Sequence, residues 1–347
     1  MTGPADIGIV SLGTTLGWLR ADAALADQVR AAGASCEVAT VRIGPAGALR
    51  RHPAATDVVE GLAARRAARG LDARALVYSS VTAALLQPPR RPFAVRFDSL
   101  AIQNRPGAGG AWQRPRERAV LARARLLLPW SEEAAEVARE LAPGAEVVVL
   151  PPPVEEAPAA APDEREPVVA AYAGNPDKRG LDLLMRAWAE LPAPGARLVV
   201  CGLERTAALR FLGRRGVPVP GGVEWAGSLP RAQWLSLVGR AAALANASVF
   251  EDWGIAPMEA LSAGTPLATV ASGGPYEALA PARRLAPELV AERRGPAALA
   301  AALRAAVSMD GSERARYAHE AAAVMAAYRP DALARTVAES MLPRMLA

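Results

Sequence analysis

Residues 241–266 read Ala-Ala-Ala-Leu-Ala-Asn-Ala-Ser248-Val-Phe-Glu251-Asp-Trp-Gly254-Ile-Ala-Pro257-Met-Glu259-Ala-Leu-Ser-Ala-Gly264-Thr-Pro266. The apolar run 241–247 is long enough for one buried strand. Gly254 permits a backbone turn, Pro257 suits the first turn of a helix, and Gly264 with Pro266 suits its stop. Glu251 and Glu259 have seven residues between them. Strand, turn and helix therefore place them on different elements, Glu251 on the loop and Glu259 just inside the helix. The free amides of the helix's first turn, from Gly254 to Met258, point into the same space. The stretch predicts a small site with an anion-binding end and two carboxylates beside it.

The same alternation of strand and helix runs outward in both directions. In the second half, strands are expected at 168–173, 197–201, 223–226 and 266–270. Helices are expected at 181–191, 203–213, 230–240, most of 296–327, and 331–346. In the first half, strands are expected at 7–12, 36–41, 75–78, 93–97 and 126–129. A helix is expected at 18–32 and another at 117–125. Ser131 reads as the N-cap of a further helix, with Glu132 and Glu133 in its first turn. Pro88, Pro89 and Pro92 break the chain before the fourth strand. Residues 103–118, rich in Gly, Pro and Arg, read as an irregular loop. Residues 151–167, rich in Pro, Ala and acids, lack an apolar period and read as a linker. The fold class is α/β, with two Rossmann-like halves at 1–150 and 168–330 whose strand edges face each other across a deep cleft.

With 347 residues and 52% of them apolar, the chain can bury a large core and favours two domains. No apolar run is long enough to span a membrane, and no basic-then-apolar leader opens the chain. Cys36 and Cys201 stand far apart in strand-like runs and read as buried thiols, which implies a cytoplasmic protein. His52 and His319 have no ligand-spaced neighbours, so no metal site is expected. Residues 1–150 hold 19 arginines against 14 acids, whereas residues 151–347 are balanced. Two readings of that asymmetry stay open: compositional drift, or a basic half that meets an acidic acceptor or the inner face of an anionic membrane. Nucleic acid is disfavoured, because aromatic residues do not interleave with the arginines. The chain's one lysine is Lys178.

Lys178 stands in Tyr172-Ala-Gly174-Asn175-Pro-Asp-Lys178-Arg179-Gly180-Leu-Asp-Leu-Leu184, ahead of the opening stretch. Together the two segments resemble the signatures of glycosyltransferase family 4, Gly-Arg-x-x-x-Lys-Gly and Glu-Gly-Phe-Gly-Leu-x-x-x-Glu-Ala. Ser248 and Glu277 fit flanking positions of the second signature. The resemblance covers residues 168–280 closely and the first half loosely. It implies a GT-B fold and a hexosyltransferase-type enzyme that moves a sugar from a nucleotide-diphosphate sugar to an acceptor hydroxyl. Transfer would retain anomeric configuration and need neither metal nor cofactor. The acceptor class, whether glycan, lipid or small molecule, is not implied. Neither are the nucleotide base and the donor sugar.

By the same resemblance, Lys178 and Arg179 face the diphosphate. Glu259 takes the ribose hydroxyls and Glu251 the transferred sugar. The amides of Gly254, Ile255 and Ala256 face sugar and phosphate. A final helix, 331–347, packs back on the first domain. Three positions depart from the family. Asn175 replaces the usual arginine. Arg96-Phe97-Asp98 replaces a His-Asp pair at a strand end, leaving Asp98 as the nearest catalytic equivalent. Gly13 and Gly17 replace adjacent glycines in the first loop. Two rival functions remain beside the transferase: a non-catalytic nucleotide-sugar-binding partner subunit, and a GT-B epimerase.

Overall fold

A computed structural model gives the fold and describes residues 3–13, 15–43, 52–88, 91–158, 160–161, 164–191 and 196–347. Pro89, Thr14 of the first loop and linker positions 159, 162 and 163 lie outside the described residues. The chain divides into two units, Met1–Pro153 with Tyr328–Ala347, and Val154–Ala327.

The first unit has strands β1 (Ala5–Ser11), β2 (Cys36–Thr40), β3 (Ala73–Tyr78), β4 (Phe93–Phe97) and β5 (Leu126–Pro129). They form one parallel sheet in the order β2-β1-β3-β4-β5. Side chains alternate across a strand, so such a sheet needs a core on each face. The residues sort accordingly. Ile7, Ile9, Ala75, Val77, Ala94, Leu126 and Leu128 join one core, with Leu25 and Val29 from the helix Leu16–Ala31. Val10, Leu76, Tyr78, Phe93, Val95, Phe97 and Leu127 join the other, with Ala64 from the helix Pro53–Arg69.

The first core is completed from the far end of the chain. Leu333, Val337, Met341 and Met345, one per turn, pack with the β1 and β3 residues. Arg344 pairs with Glu146 at 3.0 Å. Helix Pro330–Thr336 runs through a π turn, Val337–Met341, into Leu342–Leu346.

Two expectations in this unit need correction. The stretch 103–118 is not irregular. It holds a 3-10 turn, Gly107–Gly110, and most of the helix Gln113–Leu121. Glu117 anchors that helix by accepting from the Ala101 amide at 3.0 Å, a long-range bond that local propensity does not reveal. Gly17 is not in the loop. It lies in the first turn of the helix Leu16–Ala31, whose N-cap is Thr15. The helix Pro53–Arg69 was also missed, because its Ala- and Arg-rich sequence carries little apolar stripe.

The second unit has β6 (Glu166–Tyr172), β7 (Arg197–Cys201), β8 (Val223–Gly227), β9 (Ala241–Asn246), β10 (Leu267–Val270) and β11 (Val290–Ala291). The order is β11-β10-β9-β6-β7-β8, again parallel. Every residue of β9 and β10 is buried, and all but Asn246 and Thr269 are apolar, as strands covered on both faces require. The strand order reverses between β6 and β9. Open α/β sheets bind ligands at that reversal, beyond the strands' carboxyl ends.

Candidate active site

Two loops leave the sheet at this reversal, 173–180 after β6 and 247–254 after β9. The backbone ties them together, with the Val249 amide donating to the Lys178 carbonyl at 2.9 Å. Gly180, at φ 59°, allows the approach. A Cβ there would stand 2.0 Å from the Ala247 carbonyl oxygen. Asn175 shapes the first loop from within, its Oδ1 accepting from the Lys178 amide at 3.1 Å and its carbonyl from the Arg179 amide at 2.9 Å.

The charged groups then meet as pairs. Arg179 donates to Glu251, and Lys178 pairs with Asp252 in the same turn. Glu251 is nearly buried, and its Oε2 also accepts from Ser248 Oγ at 3.0 Å. Ser248 Oγ lies 2.7 Å from Asn246 Oδ1, and Asn246 Nδ2 donates to the Tyr276 hydroxyl at 3.0 Å. Burial pushes the Tyr276 phenol well above its usual range, so it stays neutral. This relay from β9 to Tyr276 fixes the Glu251 rotamer behind the loop.

Glu259, also buried, is the fifth residue of the helix Ile255–Ser262. Its Oε1 takes Arg231, and its Oε2 takes the Trp234 indole N–H at 2.5 Å. Both partners were missed in the sequence. They sit one turn apart in the helix Arg231–Arg240, and that i, i+3 spacing is the only local signal. Each carboxylate oxygen has two lone pairs, so Glu259 retains acceptor capacity. Tyr172, 43% exposed, ends β6. Its ring lies 5.9 Å from the Trp234 ring and 5.8 Å from the Arg179 guanidinium.

The helix Ile255–Ser262 starts at Gly254, φ 90°, with no side-chain cap. A Cβ at Gly254 would stand 2.7 Å from the Tyr276 ring. Its first-turn amides, at Ile255 and Ala256, stand at the positive end of the helix dipole. Lys178, Arg179, Asn175, Glu251, Gly254, Ile255, Ala256 and Glu259 thus lie around one sheet edge of the second unit.

Asp98, Gly13 and Gly17 belong to the first unit. Asp98 follows β4 and lines a cavity with Leu12 and Trp18. Gly13 turns at φ 62° after β1. Arg96 points away from that cavity into the core. There it donates to the Ala21 carbonyl at 2.9 Å and meets Asp22 at 3.5 Å. Burial pulls Arg96 down to about 10 and pushes Asp22 up. Among the described residues, no group of three His, Cys, Asp or Glu could hold a metal. No helix among them is long and apolar enough to cross a membrane.

Residues 155–324 match the family model described as "Glycosyl transferases group 1". No curated protein matches the chain in sequence. Solved structures match along nearly its whole length. A sucrose-phosphate synthase from Thermosynechococcus elongatus superposes with TM-score 0.76 at 17% identity, covering 99% of each chain. WaaG, a glycosyltransferase involved in lipopolysaccharide biosynthesis, does so at 0.71 and 16%, covering 96% of this chain and 100% of its own. HepE from Anabaena, in complex with UDP and glucose, does so at 0.66 and 15%, covering 97% and 99%. The two parallel-sheet α/β units form a GT-B fold.

Proposed function

We propose that the protein is a retaining, metal-independent glycosyltransferase whose nucleotide-diphosphate sugar donor binds at the β6–β9 edge of the second unit. The observation that carries this reading is the pairing of two buried acids with cations around an uncapped helix start. Glu251 holds Arg179, and Glu259 holds Arg231, beside the Ile255 and Ala256 amides. As the sugar leaves, the diphosphate gains negative charge. Fixed guanidinium groups, the Lys178 ammonium and helix-terminal amides supply the compensating field.

In this reading Glu259 accepts from the ribose hydroxyls. Glu251, outside its Oε2 contacts, takes hydroxyls of the transferred sugar and steadies positive charge at the anomeric carbon. Asn175 contributes by holding the Lys178 loop. The acceptor oxygen bonds to the anomeric carbon as the bond from that carbon to phosphate oxygen breaks. The departing phosphate takes the acceptor's proton, so no protein base is required. Asp98, Gly13 and Gly17 are assigned to the sugar-facing parts of the first unit on family resemblance.

UDP is the first nucleotide to test, because the structurally similar HepE was solved with UDP and with UDP-glucose. A panel of UDP, GDP, ADP and dTDP should yield one nucleotide that raises Tm. A ligand at 100 times its Kd adds about 2.7 kcal/mol. No shift with any of them overturns the donor reading. Donor consumption by the wild type, lost in Glu251→Ala, separates a transferase from a non-catalytic subunit. A free epimeric sugar nucleotide as product would mark an epimerase.

A further inference from the structure

A third loop, 271–277 after β10, closes on the loop that carries Glu251. The Glu251 amide donates to the Gly273 carbonyl at 2.9 Å, and Ser272 Oγ donates to the Ser248 carbonyl at 2.9 Å. These bonds bring Tyr276 into the interior behind the site, 4% exposed, with its ring against Gly254.

The hydrogens around its hydroxyl can be placed one by one. Thr269 Oγ1 donates to the Val270 carbonyl at 3.2 Å, so Tyr276 donates to Thr269 Oγ1 at 3.0 Å. The Tyr276 oxygen is left to accept from Asn246 Nδ2, at 3.0 Å. That contact turns Asn246 Oδ1 toward Ser248 Oγ, 2.7 Å away. Ser248 has a single hydroxyl hydrogen and two acceptors for it, Asn246 Oδ1 and Glu251 Oε2 at 3.0 Å. The nearer acceptor takes the larger share, so Glu251 keeps most of its charge density. An asparagine released from Tyr276 is free to turn its amide over and offer Nδ2 to Ser248. The Ser248 hydrogen then goes wholly to Glu251.

We infer that Tyr276 is a positioning residue for sugar transfer: its hydroxyl, acting through Asn246 and Ser248, sets the orientation and charge density of the Glu251 carboxylate. The inference rests on the reading of Glu251 as the acid that steadies positive charge at the anomeric carbon. A carboxylate that holds a hydroxyl hydrogen to itself is a weaker counter-charge for that carbon. The ring of Tyr276 has a separate task. It packs on Gly254, where the helix Ile255–Ser262 starts, so removing the hydroxyl alone leaves the helix start in place.

The experiment is a double-mutant cycle on the full chain. The probes are the nucleoside diphosphate that raises Tm and its glucose, mannose and N-acetylglucosamine esters, with nucleotide release as the readout. Tyr276→Phe should keep nucleotide Kd and donor KM within about twofold and lower kcat by about tenfold, as loss of an interaction felt only in the transition state does. Ser248→Ala should lower kcat by a similar factor, through lost orientation of Glu251. The double variant should lose no more than the worse single one, because without Ser248 the Tyr276 hydroxyl no longer reaches Glu251. Losses that multiply, a loss carried by KM or Kd, or an unchanged kcat beside a lower Tm in Tyr276→Phe overturn this inference and leave the transferase reading standing. A wild type that releases nucleotide from none of the esters overturns the transferase reading, and this inference with it.

Discussion

The Trp234 indole N–H and Glu259 Oε2, 25 residues apart in sequence, meet at 2.5 Å in the interior of the second unit. With Arg231 on the other oxygen, the bond holds the Glu259 carboxylate in one orientation. Trp234→Phe removes the donor and keeps most of the ring. Losing a hydrogen bond to a buried, charged carboxylate should cost about 1.5–3 kcal/mol. The expected result is a lower Tm and a donor KM raised roughly tenfold, with kcat less affected. A KM unchanged alongside a lower Tm would confine the bond to folding.

The Lys178–Asp252 pair makes the lysine's position conditional. To reach a diphosphate, Lys178 must leave Asp252. Asp252→Asn should therefore tighten UDP binding several-fold, measured by calorimetry. Lys178→Met should weaken it and cut kcat/KM by roughly 10²-fold. Weakening in both variants would show the pair acting as a structural clasp instead.

Gly180 lets two loops approach that no side chain could separate. Gly180→Ala places a Cβ 2.0 Å from the Ala247 carbonyl oxygen at positive φ. The cost should exceed about 1 kcal/mol in a urea titration, and nucleotide binding should be lost with the loop geometry. Gly213, with open space at its Cβ and no positive φ, is the control, and Gly213→Ala should be tolerated.

Glu117 gives the first unit a predictable pH response. Burial raises its carboxyl from 4.5 to about 7, against the pull of the Ala101 amide. Between pH 4.5 and 7 the folded state keeps a proton that the unfolded state has released. Stability from this group is thus present below about pH 4.5 and is lost as pH rises through 7, by at most roughly 3 kcal/mol. Urea midpoints at pH 5 and pH 8 should differ less in Glu117→Gln than in the wild type. An equal difference would mean that other groups carry the response.

Much of the second unit is legible in its sequence. β7 was anticipated at its observed bounds, and β9 and the helix Ile255–Ser262 within a residue or two. Their signals are local: an apolar run, a glycine at the turn, a proline inside the helix start. The first unit was less legible. Helix Pro53–Arg69 hides in an Ala- and Arg-rich stretch, and helix Gln113–Leu121 in one punctuated by Gly and Pro.

By itself, then, the sequence determined the two-fold alternation of strands and helices, and the composition of the loops at the strand ends. Period and punctuation act over a few residues, and a single chain records them directly. Only the tertiary structure decided that Glu259 is gripped by Arg231 and Trp234, and that Arg96 turns inward to Asp22 while Asp98 faces a cavity. It also decided which side chains of the final helix, Leu333, Val337, Met341 and Met345, enter the core beneath β1. Those partnerships join residues that are distant in the chain. They arise from burial, which makes each interior polar group take whichever partner the packing brings within reach.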